Sequence, residues 1–532
     1  MNHQKIKIDM KRIILLKEIC DRNYNCDILI IGGGATGLGA AVDAASRGYK
    51  VVLLEQNDFA QATSSRSTKL VHGGVRYLAQ GDIQMVIGAL HERGRMQKNA
   101  PHLVKNMRFI IGNYRWWEQL FYTIGLTIYD ILAGRLGLGL SLPLLKRTVK
   151  KEIPGLKQSG LKGGVVYHDG QFDDARMAVT LAQTGVDHGA ICLNYIKVEK
   201  LVKDNAGKLT GVMAVNQLTG EQYTFYSRVV VNATGVFVDD IMGMDAPQAK
   251  KKVRPSQGVH LVVDHKFLGG NSALMIPKTK DGRVLFGVPW HDKVVLGTTD
   301  TPLNETLLEP HALEEEINFI LDQAGQYLEL KPTRADVLSV FAGLRPLAAS
   351  NSKDTTKTKE ISRNYKIYKS KSGLLTITGG KWTTYREMAE DAINQSIQIA
   401  GLAIKPCVTK NLKVHGYSEN EDMSKWDYVY GSDVSKINML KKEDIQYSEL
   451  LLKNFTFTVA HVIWAVREEM AQTIEDVLAR RVRLLFLDAR AAIEIAPKVA
   501  AIMAKEMNKN KEWVNSQIKE FTELAKGYIL QV

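Results

Sequence analysis

The chain is 532 residues long, with a formal net charge of +13, 45% hydrophobic and 24% charged residues. That length supports roughly two or three domains, and the composition excludes a disordered or fibrous chain. No apolar run reaches the about 20 residues that a membrane-spanning helix needs. The cysteines Cys20, Cys26, Cys192 and Cys407 show neither a C-x-x-C pair nor metal-ligand spacing, so free thiols in a reducing compartment are expected. The excess of Lys and Arg leaves open a nucleic acid, an anionic membrane surface or an acidic small substrate as partner.

Residues Met1 to Asn25 are Lys-rich around a short apolar patch, Ile13 to Leu16. The patch is too short for a signal-peptide core and reads as a leading helix packed on the first domain. The β-branched run Ile28 to Ile31 follows, then Gly32, Gly34 and Gly37 at G-x-G-x-x-G spacing, an Ala-rich helical segment, and a second apolar run, Val51 to Leu54, ending in Glu55. Gly32 suits the tight turn, Gly34 the close approach of a pyrophosphate, and Gly37 the packing of helix on strand. The helix N-terminus offers N–H groups to phosphates, and Glu55 can accept hydrogen bonds from a ribose. Strand, glycines, helix, strand and acid in that order define a dinucleotide site.

Asn57 to Asp82 is a loop dense in hydroxyls and small residues, with His72, Arg76 and Tyr77 around Gly73 and Gly74. Clustering beside a double glycine favours a functional loop over a plain surface one. From Arg115 to Lys146, Trp116, Trp117, Phe121, Tyr122 and Tyr129 sit among leucines and isoleucines, flanked by bases and interrupted by Asp130 and Arg135. Such a segment either lies in a membrane interface or is covered by the rest of the fold. The α/β pattern returns from Lys162 to Gly235, with a helix over Ala175 to His188, a strand over Leu193 to Val202, a meander over Lys208 to Tyr226 and a buried strand ending at Gly235. Val236 to Phe341 reads as an antiparallel sheet, with strands at Val259 to Val263, Val284 to Val288 and Val294 to Thr299. A further α/β piece holds Arg345, then Gly379, Gly380 and Lys381 before a helix starting near Thr383. Beyond Gly401, amphipathic stretches at His461 to Met507 and Glu512 to Ala525 form a separate helical domain.

Taken together, IGGGATGLGAA, ATSSRSTKLVHGGVRYL, VNATG, GTTD, GLRPL and ITGGKWTTYREMAE, with the helical tail HVIWAVREEMAQTIEDVLARR, resemble the FAD-dependent glycerol-3-phosphate dehydrogenases. The resemblance covers nearly the whole chain. It implies hydride transfer from C2 of sn-glycerol 3-phosphate to FAD, giving dihydroxyacetone phosphate, with electrons passed to a membrane quinone. It also implies an enzyme peripheral to the membrane. The expected fold is α/β plus α: a discontinuous Rossmann-type FAD-binding domain (1–75, 160–240 and 342–400), an antiparallel-sheet substrate or cap domain (76–159 and 241–341), and a C-terminal helical domain (401–532).

Within that resemblance, Gly32, Gly34, Gly37 and Glu55 are expected to hold the ADP half of FAD. Ser64, Ser67, Lys69 and Leu70 are expected along the pyrophosphate and flavin, with Gly235, Gly380 and Thr383 as the other walls. A dianionic phosphate wants fixed cations, and Arg76, Arg363 and Lys381 match the family's phosphate positions, with Tyr77 nearby. His260 is the first choice for the base that takes the hydroxyl proton, His72 its competitor, and Arg345 the group that holds the oxygen becoming the ketone. No D-x-D-x-D-G loop is present in the sequence, so no metal and no Ca²⁺ regulation are expected. That absence, with no clear transit peptide, favours a bacterial enzyme on the cytoplasmic face of the inner membrane, at an anionic surface, with a homodimer allowed. A soluble oxidase using O₂, an RNA-binding flavoprotein and a non-catalytic membrane-surface scaffold are the alternatives. The dispersed Lys and Arg argue against nucleic acid.

Overall fold

The computed structural model describes residues 12–19, 23–78, 81–279, 282–349, 364–423, 425–453 and 455–531, and only the backbone of Ile13, Glu18, Asn23 and Arg76. The strand Asn23–Ile31 lies at the centre of the first sheet, paired in parallel with Gln222–Asn232 on one side and Val51–Leu54 on the other. Parallel strands Leu375–Thr378 and Ile191–Leu193 extend the two sides, and Lys366–Lys369 closes one edge antiparallel. Helices cover such a sheet on both faces, which is why its strands are apolar runs without alternation; Ile28, Leu29 and Ile30 are fully buried. The helix Ala35–Ser46 is Ala- and Gly-rich because it packs tightly. A Cβ on Gly39 would come within 2.7 Å of the Tyr385 ring, on the helix Tyr385–Ala400. The expected meander is present as Ile196–Lys203, Leu209–Asn216 and Gln222–Asn232. The leading helix is Arg12–Glu18, anchored by buried Leu15 and by Arg12, which donates to the Asn194 carbonyl at 3.2 Å.

The second sheet runs in the order Thr301–Pro302, Val253–Asp264, Lys293–Gly297, Leu285–Trp290, Ala273–Ile276, Val104–Asn113, Gly163–Phe172 and Leu70–Val71. Val337–Ala348 pairs with Val253 through Val263 of the strand Val253–Asp264. The sheet is antiparallel, as expected, except where Ala273–Ile276 meets Val104–Asn113 in parallel. Three expected domain boundaries differ from the sheet membership. Leu70–Val71, assigned with residues 1–75 to the first domain, and Gly163–Phe172, assigned with 160–240, belong to the second sheet, and the boundary at 342 falls inside the strand Val337–Ala348. These strands are largely buried on both faces, so their sequences do not reveal which sheet they join.

The C-terminal segment forms the helices Val434–Glu443, Val459–Glu468, Ala489–Met507 and Lys511–Lys526, with a π-turn at Asp476–Arg481. Its apolar faces merge with those around the first sheet into one continuous core that contains Ile30, Leu53, Ile463, Leu478 and Val499.

Candidate active site

Two connected clefts lie where the sheets meet. The first, of about 310 Å³, runs from Glu55, Gln56 and Asn57 past Gly32 and Gly34 to Gly379–Trp382. The second, of about 280 Å³, begins at the shared residues Thr63, Pro346 and Gly379–Trp382 and opens into the second sheet.

Local backbone conformation builds the first cleft. Gly32 has φ of +110°, and a Cβ there would sit 2.7 Å from the Ala233 carbonyl oxygen, so only glycine permits the turn. A Cβ on Gly37 would lie 1.9 Å from the Gly32 carbonyl oxygen, so helix and strand touch there as expected. The Glu55 carboxylate accepts from Gly33 N at 2.6 Å and Asn57 N at 2.8 Å, which fixes it at the cleft floor; burial pushes its pKa up. Ser64 Oγ accepts from Ala35 N at 3.0 Å at the helix start, and Trp382 Nε1 donates to the Ser64 carbonyl at 2.9 Å. Gly235, at φ of +64°, has nothing within 4 Å of where a Cβ would stand.

This cleft fits a flavin dinucleotide. Glu55 is set for a ribose, Gly32 and Gly34 leave the helix start open to a pyrophosphate, and Ile196, Val198, Phe237, Ile241 and Met244 supply apolar cover. Gly379 and Gly380, both at positive φ, thin the wall where the clefts join.

The second cleft collects the chemistry-bearing side chains. His260 is 2% exposed, stacks on Phe341 at 4.8 Å between centroids, and has Nε2 2.8 Å from Thr68 Oγ1. Burial, then the charges of Lys69 and Arg345, hold its pKa well below the ordinary histidine value, so the ring is neutral at pH 7. Arg345 is aimed by donating from Nη1 to the Gln257 carbonyl (3.1 Å) and from Nη2 to Thr298 Oγ1 (3.2 Å) and the Thr299 carbonyl (2.9 Å). Lys381 Nζ sits 4.0 Å from the centroid of the Tyr77 ring, at the junction of the clefts. Phe109, Tyr167, Met275, Val284 and Phe286 supply the apolar part of the cleft lining.

Of the expected residues, Gly32, Gly34, Glu55, Ser64 and Gly235 line the first cleft, and Gly380 and Lys381 line both. Ser67, Leu70, His72, Tyr77, His260, Arg345 and Thr383 line the second. His72 lies in the loop wall, where its carbonyl accepts from Thr383 Oγ1 at 3.3 Å. Gly37 supports the first cleft from behind. The Lys69 side chain lines neither cleft. It is fully buried, with Nζ 2.8 Å from the Asp174 carboxylate, because a lysine taken out of water must keep a counter-charge. Arg363 and the Arg76 side chain lie outside the described residues.

Sequence reasoning missed Thr68, Thr298, Asp300 and Trp382. Thr298 and Asp300 follow a strand in the motif GTTD, where a hydroxyl and a carboxylate emerging together at a strand end were the available signal.

A dinucleotide cleft opening onto a pocket with a neutral histidine and fixed cations is the architecture of a flavin-dependent oxidoreductase, and the family described as FAD dependent oxidoreductase matches residues 27–386. The C-terminal domain of alpha-glycerophosphate oxidase matches residues 374–514. The mitochondrial glycerol-3-phosphate dehydrogenase of Schizosaccharomyces pombe is 39% identical, over 97% of this chain and 89% of its own length. Its Homo sapiens counterpart is 38% identical, over 94% and 73%. The glycerol-3-phosphate dehydrogenase from Bacillus halodurans, solved in complex with FAD, superposes with a TM-score of 0.80 at 29% identity, over 99% of this chain and 100% of that one. The chain belongs to the FAD-dependent glycerol-3-phosphate dehydrogenases.

Proposed function

We infer that the protein oxidises sn-glycerol 3-phosphate to dihydroxyacetone phosphate and delivers the electrons to a membrane quinone. The observation that carries this reading is the second cleft, where Lys381, Arg345 and neutral His260 converge beside the dinucleotide cleft. Bound FAD supplies the hydride acceptor. Lys381 and Tyr77 fit the substrate phosphate, together with Arg76 and Arg363 from the sequence motifs. Arg345, oriented by Gln257, Thr298, Thr299 and Asp300, fits the oxygen at the reacting carbon, where charge builds as the proton leaves. His260 has a ring able to accept that proton at neutral pH. The apolar wall of Phe109, Tyr167, Met275 and Phe286 keeps water from the reacting carbon.

Membrane contact is supported by the helix Glu118–Ala133 and its flanks. Trp116 is 84% exposed and Ile131 71%, and Leu120, Phe121, Ile124, Leu140 and Leu145 stand out beside them. Arg115, Arg135, Lys146 and Arg147 border the patch. A contiguous apolar surface rimmed by bases suits insertion into the headgroup region of an anionic bilayer. Among the described residues no helix is long and apolar enough to cross a membrane. The setting on a bacterial cytoplasmic face rests on sequence features, whereas the similar proteins from S. pombe and H. sapiens are named mitochondrial. A peripheral docking helix serves either setting, and it favours quinone delivery over a soluble oxidase.

The test is anaerobic. Glycerol 3-phosphate added to the FAD-loaded protein should bleach the flavin band near about 450 nm, and a soluble quinone analogue should restore it faster than air does. A band unchanged by substrate would refute the assignment, and recovery faster in air would favour the oxidase.

A further inference from the structure

We propose that Thr68 is a catalytic residue that relays the proton of the substrate's reacting hydroxyl to His260. This rests on the reading that glycerol 3-phosphate is oxidised in the second cleft. Thr68 and His260 both line that cleft, with Thr68 Oγ1 2.8 Å from His260 Nε2. The imidazole cannot swing toward a substrate. One face stacks on Phe341, and the backbone of Gly297 is so close that a Cβ there would stand 2.4 Å from His260 Cδ2. His260 Nδ1 is buried without a hydrogen-bond partner among the described residues. The ring's polar connection to the cleft therefore runs from Nε2 through the Thr68 hydroxyl.

The loop around Thr68 is fixed to match. The Asp174 carboxylate accepts from Ser67 N (2.9 Å), Ser67 Oγ (2.7 Å) and Lys69 Nζ (2.8 Å), so one buried acid pins both neighbours of Thr68. Arg483, from the C-terminal segment, holds Asp174 at 2.8 Å and donates to the Ser65 carbonyl at 3.0 Å. A hydroxyl held this firmly against a neutral imidazole is prepared for concerted transfer.

The step balances without a further reagent. The hydrogen on C2 leaves with its bonding pair for the flavin. The C2 hydroxyl proton passes to Thr68 Oγ1 as the proton already on Oγ1 passes to His260 Nε2, and the C–O bond becomes C=O. Thr68 ends as it began, and His260 carries one proton more than at rest, as the imidazolium. The relay requires the resting ring to hold its proton on Nδ1, with the Nε2 lone pair toward Thr68.

The experiment compares wild type, Thr68→Val and Thr68→Ser, each loaded with FAD, by anaerobic stopped-flow reduction with glycerol 3-phosphate. Thr68→Val keeps the shape and should slow flavin reduction about 10²-fold while the substrate dissociation constant changes less than about threefold. Thr68→Ser should stay within about fivefold of wild type. A Thr68→Val enzyme that reduces at the wild-type rate overturns the relay, as does a Thr68→Ser enzyme equally slow. Should Thr68→Val fail to load FAD, two wild-type measurements decide. The proton inventory in mixed H₂O and D₂O should bow, as two protons in flight require, and ¹⁵N spectra should show His260 protonated on Nδ1. A straight inventory or an Nε2–H ring rejects the relay. If substrate does not bleach the wild-type flavin, the substrate reading fails; if it does and Thr68→Val matches it, the substrate reading stands and the relay falls.

Discussion

Arg345 carries charge, but its value to the site lies in direction. Three fixed acceptors on Gln257, Thr298 and Thr299 orient its guanidinium, and Asp300 lies 3.4 Å from Nη1. A lysine keeps the charge and loses the fork. Arg345→Lys should therefore lower kcat/KM for glycerol 3-phosphate by about 10²-fold, equivalent to about 3 kcal/mol; a loss under about threefold would show that charge alone suffices. His260 makes a different prediction, through pH. Burial and the charges of Lys69 and Arg345 lower its pKa, so the proton-accepting neutral form persists above that lowered value and is lost only as pH falls through it. Flavin reduction at saturating substrate should hold level from about pH 8 through about pH 6.5, where an unperturbed histidine titrates, and decline only well below that. An acid limb centred above that value would assign the base to another group, His72 first.

At the level of elements, the helix Glu118–Ala133 stands exposed, and the bilayer proposed to cover it is open to test. An apolar segment without a clean polar face says that it is covered but not by what, since core and bilayer present the same apolar environment. The surrounding fold leaves Trp116, Leu120 and Phe121 uncovered, which supports the proposed bilayer contact. Replacing Trp116, Leu120 and Phe121 together with serine should weaken sedimentation with anionic vesicles at least tenfold, each side chain contributing on the order of 1 kcal/mol when partly inserted, with reduction by substrate in solution unchanged. Vesicle binding equal to wild type would move the membrane contact elsewhere. The same rule covers the rest of what was legible. The glycine fingerprint, the strand-to-acid spacing and the helix starts depend on local geometry and could be read in order. The sheet membership of Gly163–Phe172 depends on distant partners and could not. Between elements, His415 joins the helix Asp174–Asp187 to the C-terminal segment, with Nδ1 2.6 Å from Asp187 and Nε2 2.8 Å from Asp433. Burial alone would lower its pKa, but the two carboxylates outweigh burial and raise it to about 9. Its stabilisation is thus complete below about pH 6.5 and lost as pH rises through about 9. This amounts to on the order of 2 kcal/mol, short of the full linkage value because Asp187 is partly exposed. Thermal melts from pH 6 to pH 10 should show that decline in wild type and a shallower one in His415→Ala.

For the whole molecule, the C-terminal helices and the first sheet should unfold as one body, because buried charges as well as a shared core cross the boundary near residue 401. Asp58, at the end of the first βαβ unit, accepts from Arg480 Nε at 2.5 Å, Arg481 Nη1 at 2.7 Å and Arg481 Nη2 at 2.9 Å, all of them buried. Arg176 pairs with Glu469 across the same boundary, and Ser339 Oγ donates to the Leu485 carbonyl at 2.9 Å. None of this was legible as spacing, since Asp58 and Arg481 are brought together only by the finished fold. The sequence shows the arginines of LARR merely as bases in an amphipathic stretch. Burying such a cluster gains little net stability when complete, but breaking it strands charges away from water. Burial raises the Asp58 pKa and the two arginines lower it further, so the acid stays ionised in the fold and its contribution disappears only as pH falls below the ordinary carboxylate range. Asp58→Asn leaves Arg480 and Arg481 short of a counter-charge and should cost about 3–5 kcal/mol, whereas Lys526→Ala, which removes an exposed pair with Glu523, should cost less than about 0.5 kcal/mol. Urea unfolding followed by flavin release and by far-UV circular dichroism checks both the size and the cooperativity. In Asp58→Asn the two signals should move together to lower urea, since a C-terminal domain that melted first while FAD stayed bound would mean that the boundary at 401 separates two independent folding units.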